Sequence, residues 1–123
     1  MIAAMHRTLA LALAVGLAGC GGGGGDDHSG VEPTAVVADL DPADEMTLCD
    51  WSIDAEGGAG HVTHCNGFDV TTHTVADCVA EFAGWTCDAT VGELEDCINA
   101  IDGDTCALLT EEACAFLFTC SQP

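Results

Sequence analysis

The sequence predicts a small disulfide-rich domain, mainly α, with about four short helices and one β-hairpin. Three observations lead there. Nine cysteines occur in a chain of only 123 residues, a density typical of exported domains whose core is too small to hold alone. Several stretches repeat apolar residues at helical spacing behind a capping residue. One Asn-Gly pair, Asn66-Gly67, lies between two β-rich runs, the strongest short-range hairpin signal.

Taken in order, Asp41 suits an N-cap and Pro42 a first helical turn. The acids Asp44 and Glu45 complement the positive end of the helix. Ala43, Met46, Cys49 and Ile53 recur on one face, which predicts a helix over 42–53 with that face buried. Gly57 to Gly60 break it. In residues 61–73 a two-residue turn sets Cys65 opposite Phe68, His64 opposite Asp69 and Thr63 opposite Val70. That register turns Cys65, Phe68 and Val70 toward the interior and His64 and Asp69 away from it. Val75, Cys78, Val79 and Phe82 predict a helix over 74–83, ended by Gly84. Thr90 and Glu93 form a capping box ahead of Val91, Leu94, Cys97, Ile98 and Ile101, an apolar stripe running down to Gly103. Thr110 is expected to cap a last helix, with Glu111 and Glu112 in its first turn and Cys114, Leu117 and Phe118 beyond.

The N-terminus has a different logic. Arg7 is the only Lys or Arg in the chain. Thr8 to Gly19 is an apolar run too short to cross a hydrocarbon core about 30 Å thick, but long enough for the apolar part of a secretory signal. It ends in Leu17-Ala18-Gly19-Cys20, which resembles the bacterial lipobox. The resemblance covers the first 20 residues. It implies that 1–19 are a lipoprotein signal peptide, removed on export, and that the Cys20 thiol carries diacylglycerol with further acylation at the new amino group. Two or three acyl chains anchor a protein stably where one does not. The membrane is thus a partner through the anchor on Cys20. Gly21 after the cysteine, rather than Asp, resembles sorting to the outer membrane of a bacterial envelope. Residues 20–40 then read as lipidated cysteine plus a Gly- and Asp-rich tether, and 41–123 as an acidic, disulfide-stapled domain.

Eight cysteines remain: Cys49, Cys65, Cys78, Cys87, Cys97, Cys106, Cys114 and Cys120. An even number in an exported chain reads as four disulfides. No CxxC occurs, so zinc-ribbon and thioredoxin-like chemistry lack their spacing. Neighbours flanking a helix end are the expected partners, Cys78 with Cys87 and Cys97 with Cys106.

Charge excludes one class of function. The formal net charge is -20, and all 21 acids lie from Asp26 onward. Phosphate recognition depends on Lys and Arg, so nucleic acid is not a partner. Basic proteins, cationic peptides and divalent cations are compatible with such a surface; a solvated acidic coat is the alternative use of the same charge. No metal or cofactor is expected. His61 and His64 point to opposite strand faces and His64 pairs with Asp69 instead. Ile101 to Thr105 (IDGDT) fails as a calcium loop, because taking Gly103 as the sixth position puts Ile98 first and Leu109 last. With Ser29, Ser52 and Ser121 as the only serines after the signal, and no Tyr, no nucleophile-base set stands out, and the chain reads as a non-enzyme.

Leu48 to Trp51 (LCDW), the glycines before Cys65, Thr90 to Cys97 (TVGELEDC) and the final C-x5-C resemble a group of small, uncharacterised, cysteine-rich bacterial lipoproteins over roughly residues 40–120. That resemblance implies a fold and no activity. The expected role is a membrane-anchored extracytoplasmic binding or interaction module. The alternatives are a structural acidic coat protein, a divalent-cation-binding protein or a small secreted hydrolase.

Overall fold

The capping residues decide where each helix begins. In the computed structural model, which describes residues 27–120, α1 spans Pro42–Ala55, and its Asp41 carboxylate accepts the Asp44 N–H at 2.9 Å. Helix α2 spans Val75–Ala83, with Thr74 accepting from Asp77. Helix α3 spans Val91–Ile101 behind the expected capping box: Thr90 Oγ1 accepts the Glu93 N–H at 3.3 Å, and Glu93 Oε2 accepts the Thr90 N–H at 2.8 Å. Such caps are each worth about 1 kcal/mol. Between α1 and α2, strands β1 (Val62–Cys65) and β2 (Phe68–Thr71) pair antiparallel in the expected register, Cys65 with Phe68 and His64 with Asp69. Gly67 supplies the left-handed backbone of the turn, at φ 86°.

The segment before α1 departs from the expected tether. From residue 27 it is a strap packed on α3, and the folded domain begins well before Asp41. A helix leaves its first backbone N–H groups without internal partners. Here the strap supplies them: Val91 N–H donates to the Ala35 carbonyl and Gly92 N–H to the Pro33 carbonyl, both at 2.9 Å. Val36 bridges Thr90, and Val31 and Val37 enter the core. The strap comes so close that a Cβ on Gly92 would lie 3.2 Å from the Pro33 carbonyl oxygen. Cys20 and Gly21 to Gly25 lie outside the described residues, as does the signal peptide.

Three core assignments also change: Ala43, Met46 and Phe68 are exposed. On α1 the buried residues are Leu48, Cys49, Ser52 and Ile53. Met46 is 57% exposed, because the first turns of α1 project past the elements packed on its second half. Phe68 is 47% exposed, since it sits at the turn end of β2 where the hairpin leaves the domain.

The disulfides are Cys49–Cys78, Cys65–Cys106, Cys87–Cys120 and Cys97–Cys114, with Cα–Cα distances from 4.7 to 5.8 Å. The expected pairs Cys78–Cys87 and Cys97–Cys106 do not form. Cys78 lies on the face of α2 that packs against α1, so Cys49 is its neighbour across the interface. Three bridges join two different elements and Cys87–Cys120 ties the loop between α2 and α3 to the last turn, over 17 to 41 residues of chain. The same bonds explain why no continuous helix follows Thr110. Cys106, Cys114 and Cys120 each reach a different partner, and the chain breaks into 3-10 turns at Thr105–Leu109 and Glu112–Cys114 and a single α-turn, α4, at Leu117–Cys120. Thr110 closes the first of these turns instead of opening a helix.

Peptide mapping of the unreduced protein should recover these four linkages, and a Cys78–Cys87 peptide would contradict the fold. Replacing Cys97 and Cys114 together by Ala should cost about 3 kcal/mol or more, read from denaturant unfolding, because the bridge restricts the unfolded chain and both side chains are fully buried.

Candidate functional site

Where α1, β2 and α2 meet α3 and the C-terminal turns, the packing leaves a cleft of about 200 Å³. Its floor is apolar: Phe82 and Trp85 at the end of α2, Leu94 and Ile98 on one face of α3, all buried. Ile53, Leu108 and Leu117 complete the walls. Phe82 and Trp85 meet edge to face at 4.9 Å, and the buried indole N–H of Trp85 has no hydrogen-bond partner.

The rim carries Glu56, His73 and Glu81. Local chemistry places each. Glu56 is the C-cap of α1, and the chain turns away immediately through Gly57 and Gly58, at φ 104° and 96°. Thr72 is buried and donates its hydroxyl to the Glu56 carbonyl at 3.4 Å, fastening the end of the hairpin to the end of α1. His73 follows directly and lies 3.5 Å from the Glu81 carboxylate of α2. Burial pushes the Glu56 carboxyl up to about 7; His73 opposes the shift and Glu81 adds to it. A carboxyl in that range changes charge near neutrality, beside an apolar surface.

A second carboxylate is treated differently. Glu95 on α3 is 2% exposed and binds the strap. Its Oε1 accepts both the Ser29 N–H and the Ser29 hydroxyl at 2.7 Å, and its Oε2 lies 3.1 Å from His28 Nδ1. Asn99, one turn on, donates to the Asp27 carbonyl at 2.7 Å. Burial alone would raise the Glu95 pKa, but the bonds from Ser29 and His28 outweigh it and hold the group below its usual value. This site fastens the first described residues and does not line the cleft.

The other residues singled out in the sequence fall into structural places. His64 and Asp69 pair at 2.7 Å on the exposed hairpin face. His61 stacks beside Gly57, where a Cβ would lie 2.8 Å from its ring. The three histidines do not converge, and among the described residues no group of three or more His, Cys, Asp or Glu could hold a metal ion. In IDGDT, Asp102 and Gly103 form the left-handed end of α3, and Asp104 accepts the Cys106 N–H at 3.1 Å. Ser52 donates to the Cys49 carbonyl. All eight domain cysteines are disulfide-bonded. Among the described residues no helix is long and apolar enough to cross a membrane.

Sequence reasoning missed Glu56, Glu81 and the Glu95–Ser29 pair. Only Glu95 left a trace, as an acid inside the apolar stripe between Leu94 and Cys97.

Compared with known proteins, the chain matches no protein-family model, no curated protein and no solved structure. Fold and site define a disulfide-stapled, mainly helical domain with a hairpin and an acid-rimmed apolar cleft.

The two carboxylates give stability opposite pH signatures. The folded pKa of Glu56 is raised, so its favourable protonated state is fully present below about 4.5 and is lost as pH rises through about 7. Glu56→Gln should therefore melt like the parent near pH 4.5 and gain about 2 kcal/mol over it at pH 8. The folded pKa of Glu95 is lowered, so its contribution is present above 4.5 and is lost as pH falls through the folded value. Glu95→Gln should cost about 2 kcal/mol at pH 7 and flatten the acid limb of the melting curve. It should also speed hydrogen exchange at Ser29 and Val31; unchanged exchange there would rule out the clamp.

Proposed function

We propose that the chain is a lipid-anchored extracytoplasmic binding module that presents its cleft in a bacterial envelope, at the outer membrane. The observation that carries the binding reading is the cleft: an apolar floor with a few convergent polar groups at its rim is the usual form of a small-ligand site. Among the described residues the serines and cysteines are otherwise engaged, Ser29 with Glu95, Ser52 with a helix carbonyl and the cysteines with one another. The anchoring half of the reading rests on Leu17-Ala18-Gly19-Cys20 and the apolar run before it. The glycines after Cys20 suit a short flexible spacer, which on this reading ends at the Glu95 clamp.

An acidic coat is the second reading, favoured by a net charge of -20 with no Lys or Arg after residue 7. A coat would take up small molecules only through screened, non-saturable attraction.

Intact mass of the protein extracted from membranes tests the anchor. The expected species starts at Cys20, carries two or three acyl chains, and exposes eight alkylatable thiols only after reduction. A lipid-free chain, or a Cys20→Ala variant that still fractionates with membranes, would overturn it.

A further inference from the structure

We propose that the cleft binds a small organic amine: an ammonium group joined to an apolar body about the size of one aromatic ring. The inference deepens the binding-module reading and rests on it.

Size comes first. An apolar cavity of about 150 Å³ accommodates benzene, and a water-sized group occupies about 30 Å³. At about 200 Å³ the cleft has room for a ring plus one or two further atoms, too little for a peptide helix or an acyl chain. Polarity comes second. The buried end is formed by Phe82, Trp85, Leu94 and Ile98, so the part of a ligand that enters must be apolar.

Charge decides the rim. Glu56 and Glu81 face the opening with His73, and among the described residues no other ionising side chain lines the cleft. Among the described residues, His73 is the one group of opposite sign acting on Glu56, and it already lies 3.5 Å from Glu81. No Lys or Arg exists in the domain to answer either acid. An anionic ligand would add a third negative charge in a region of reduced dielectric. A neutral ligand would bury Glu56 further without a partner, which is costly for an ionised group. An ammonium supplies the missing cation and donates charge-assisted hydrogen bonds. The raised pKa of Glu56 agrees with this arrangement: burial disfavours its ionised form, with Glu81 adding to the effect, and a cation bound beside it would favour that form.

The test uses three probes of one shape: benzylamine, benzyl alcohol and benzoate. Each is titrated by calorimetry into the oxidised, membrane-extracted protein in nanodiscs of neutral lipid, at pH 7.5 and 0.15 M salt. Benzylamine should bind saturably, one per chain, at least tenfold more tightly than benzyl alcohol, and benzoate should not bind. Glu56→Gln should lose at least tenfold in benzylamine affinity while leaving benzyl alcohol unchanged. Asp50→Asn, an exposed acid on α1, should change neither. Val70→Phe, which narrows the cleft from the hairpin side, should weaken both probes, with its fold checked by disulfide mapping. Benzyl alcohol binding as tightly as benzylamine, or Glu56→Gln binding benzylamine like the parent, would overturn the amine specificity and leave the cleft a binding site. Failure of all three probes to saturate would overturn both the amine inference and the binding-module reading.

Discussion

Negative charge without a lysine or arginine to balance it is the constraint from which much of this domain follows. Twenty-one acids share the chain with one arginine, and that arginine precedes the lipobox-like motif. Folding such a chain brings like charges together, and salt bridges of the usual kind cannot offset the repulsion. Covalent bonds can. Four disulfides cross-link distant parts of the chain around a small apolar core, and they do so independently of charge.

The same constraint governs each acid that the fold has to bury. Glu95 is kept ionised by hydrogen bonds from a backbone N–H, a hydroxyl and an imidazole, the donors that remain when no strong base is at hand. Glu93 stays exposed and is taken up by the capping box. Glu56 has neither solution, and burial shifts its pKa instead. It is this unanswered acid, next to an apolar surface, that makes the cleft chemically distinct from the rest of the surface. Exposed acids such as Asp50 and Asp54 stay in water and need no partner.

Helix α3 connects the two halves of this arrangement. Its Leu94 and Ile98 form part of the cleft floor, while Glu95 and Asn99 hold the strap. Its first two backbone N–H groups take their acceptors from the strap as well. Cys97, on the same helix, is bonded to the C-terminal turns. A single three-turn helix therefore fixes the segment nearest the proposed anchor, the floor of the cleft and the end of the chain.

The sequence by itself determined the features whose partners lie within a few residues: the caps at Asp41 and Thr90, the hairpin register around Asn66-Gly67, the His64–Asp69 pair and the use of cysteines as cross-links. Each depends on a hydrogen bond or periodicity that one turn of chain specifies. Tertiary structure alone decided which cysteines pair, that residues from 27 form a strap, that the C-terminal stretch breaks into short turns, and that Glu56, His73 and Glu81 share a rim. Those outcomes depend on which faces meet across distances of 8 to 72 residues, and no local pattern carries that information. Glu95 stands between the two: the sequence marks it as an acid on an apolar stripe, but only the folded chain brings Ser29 to it.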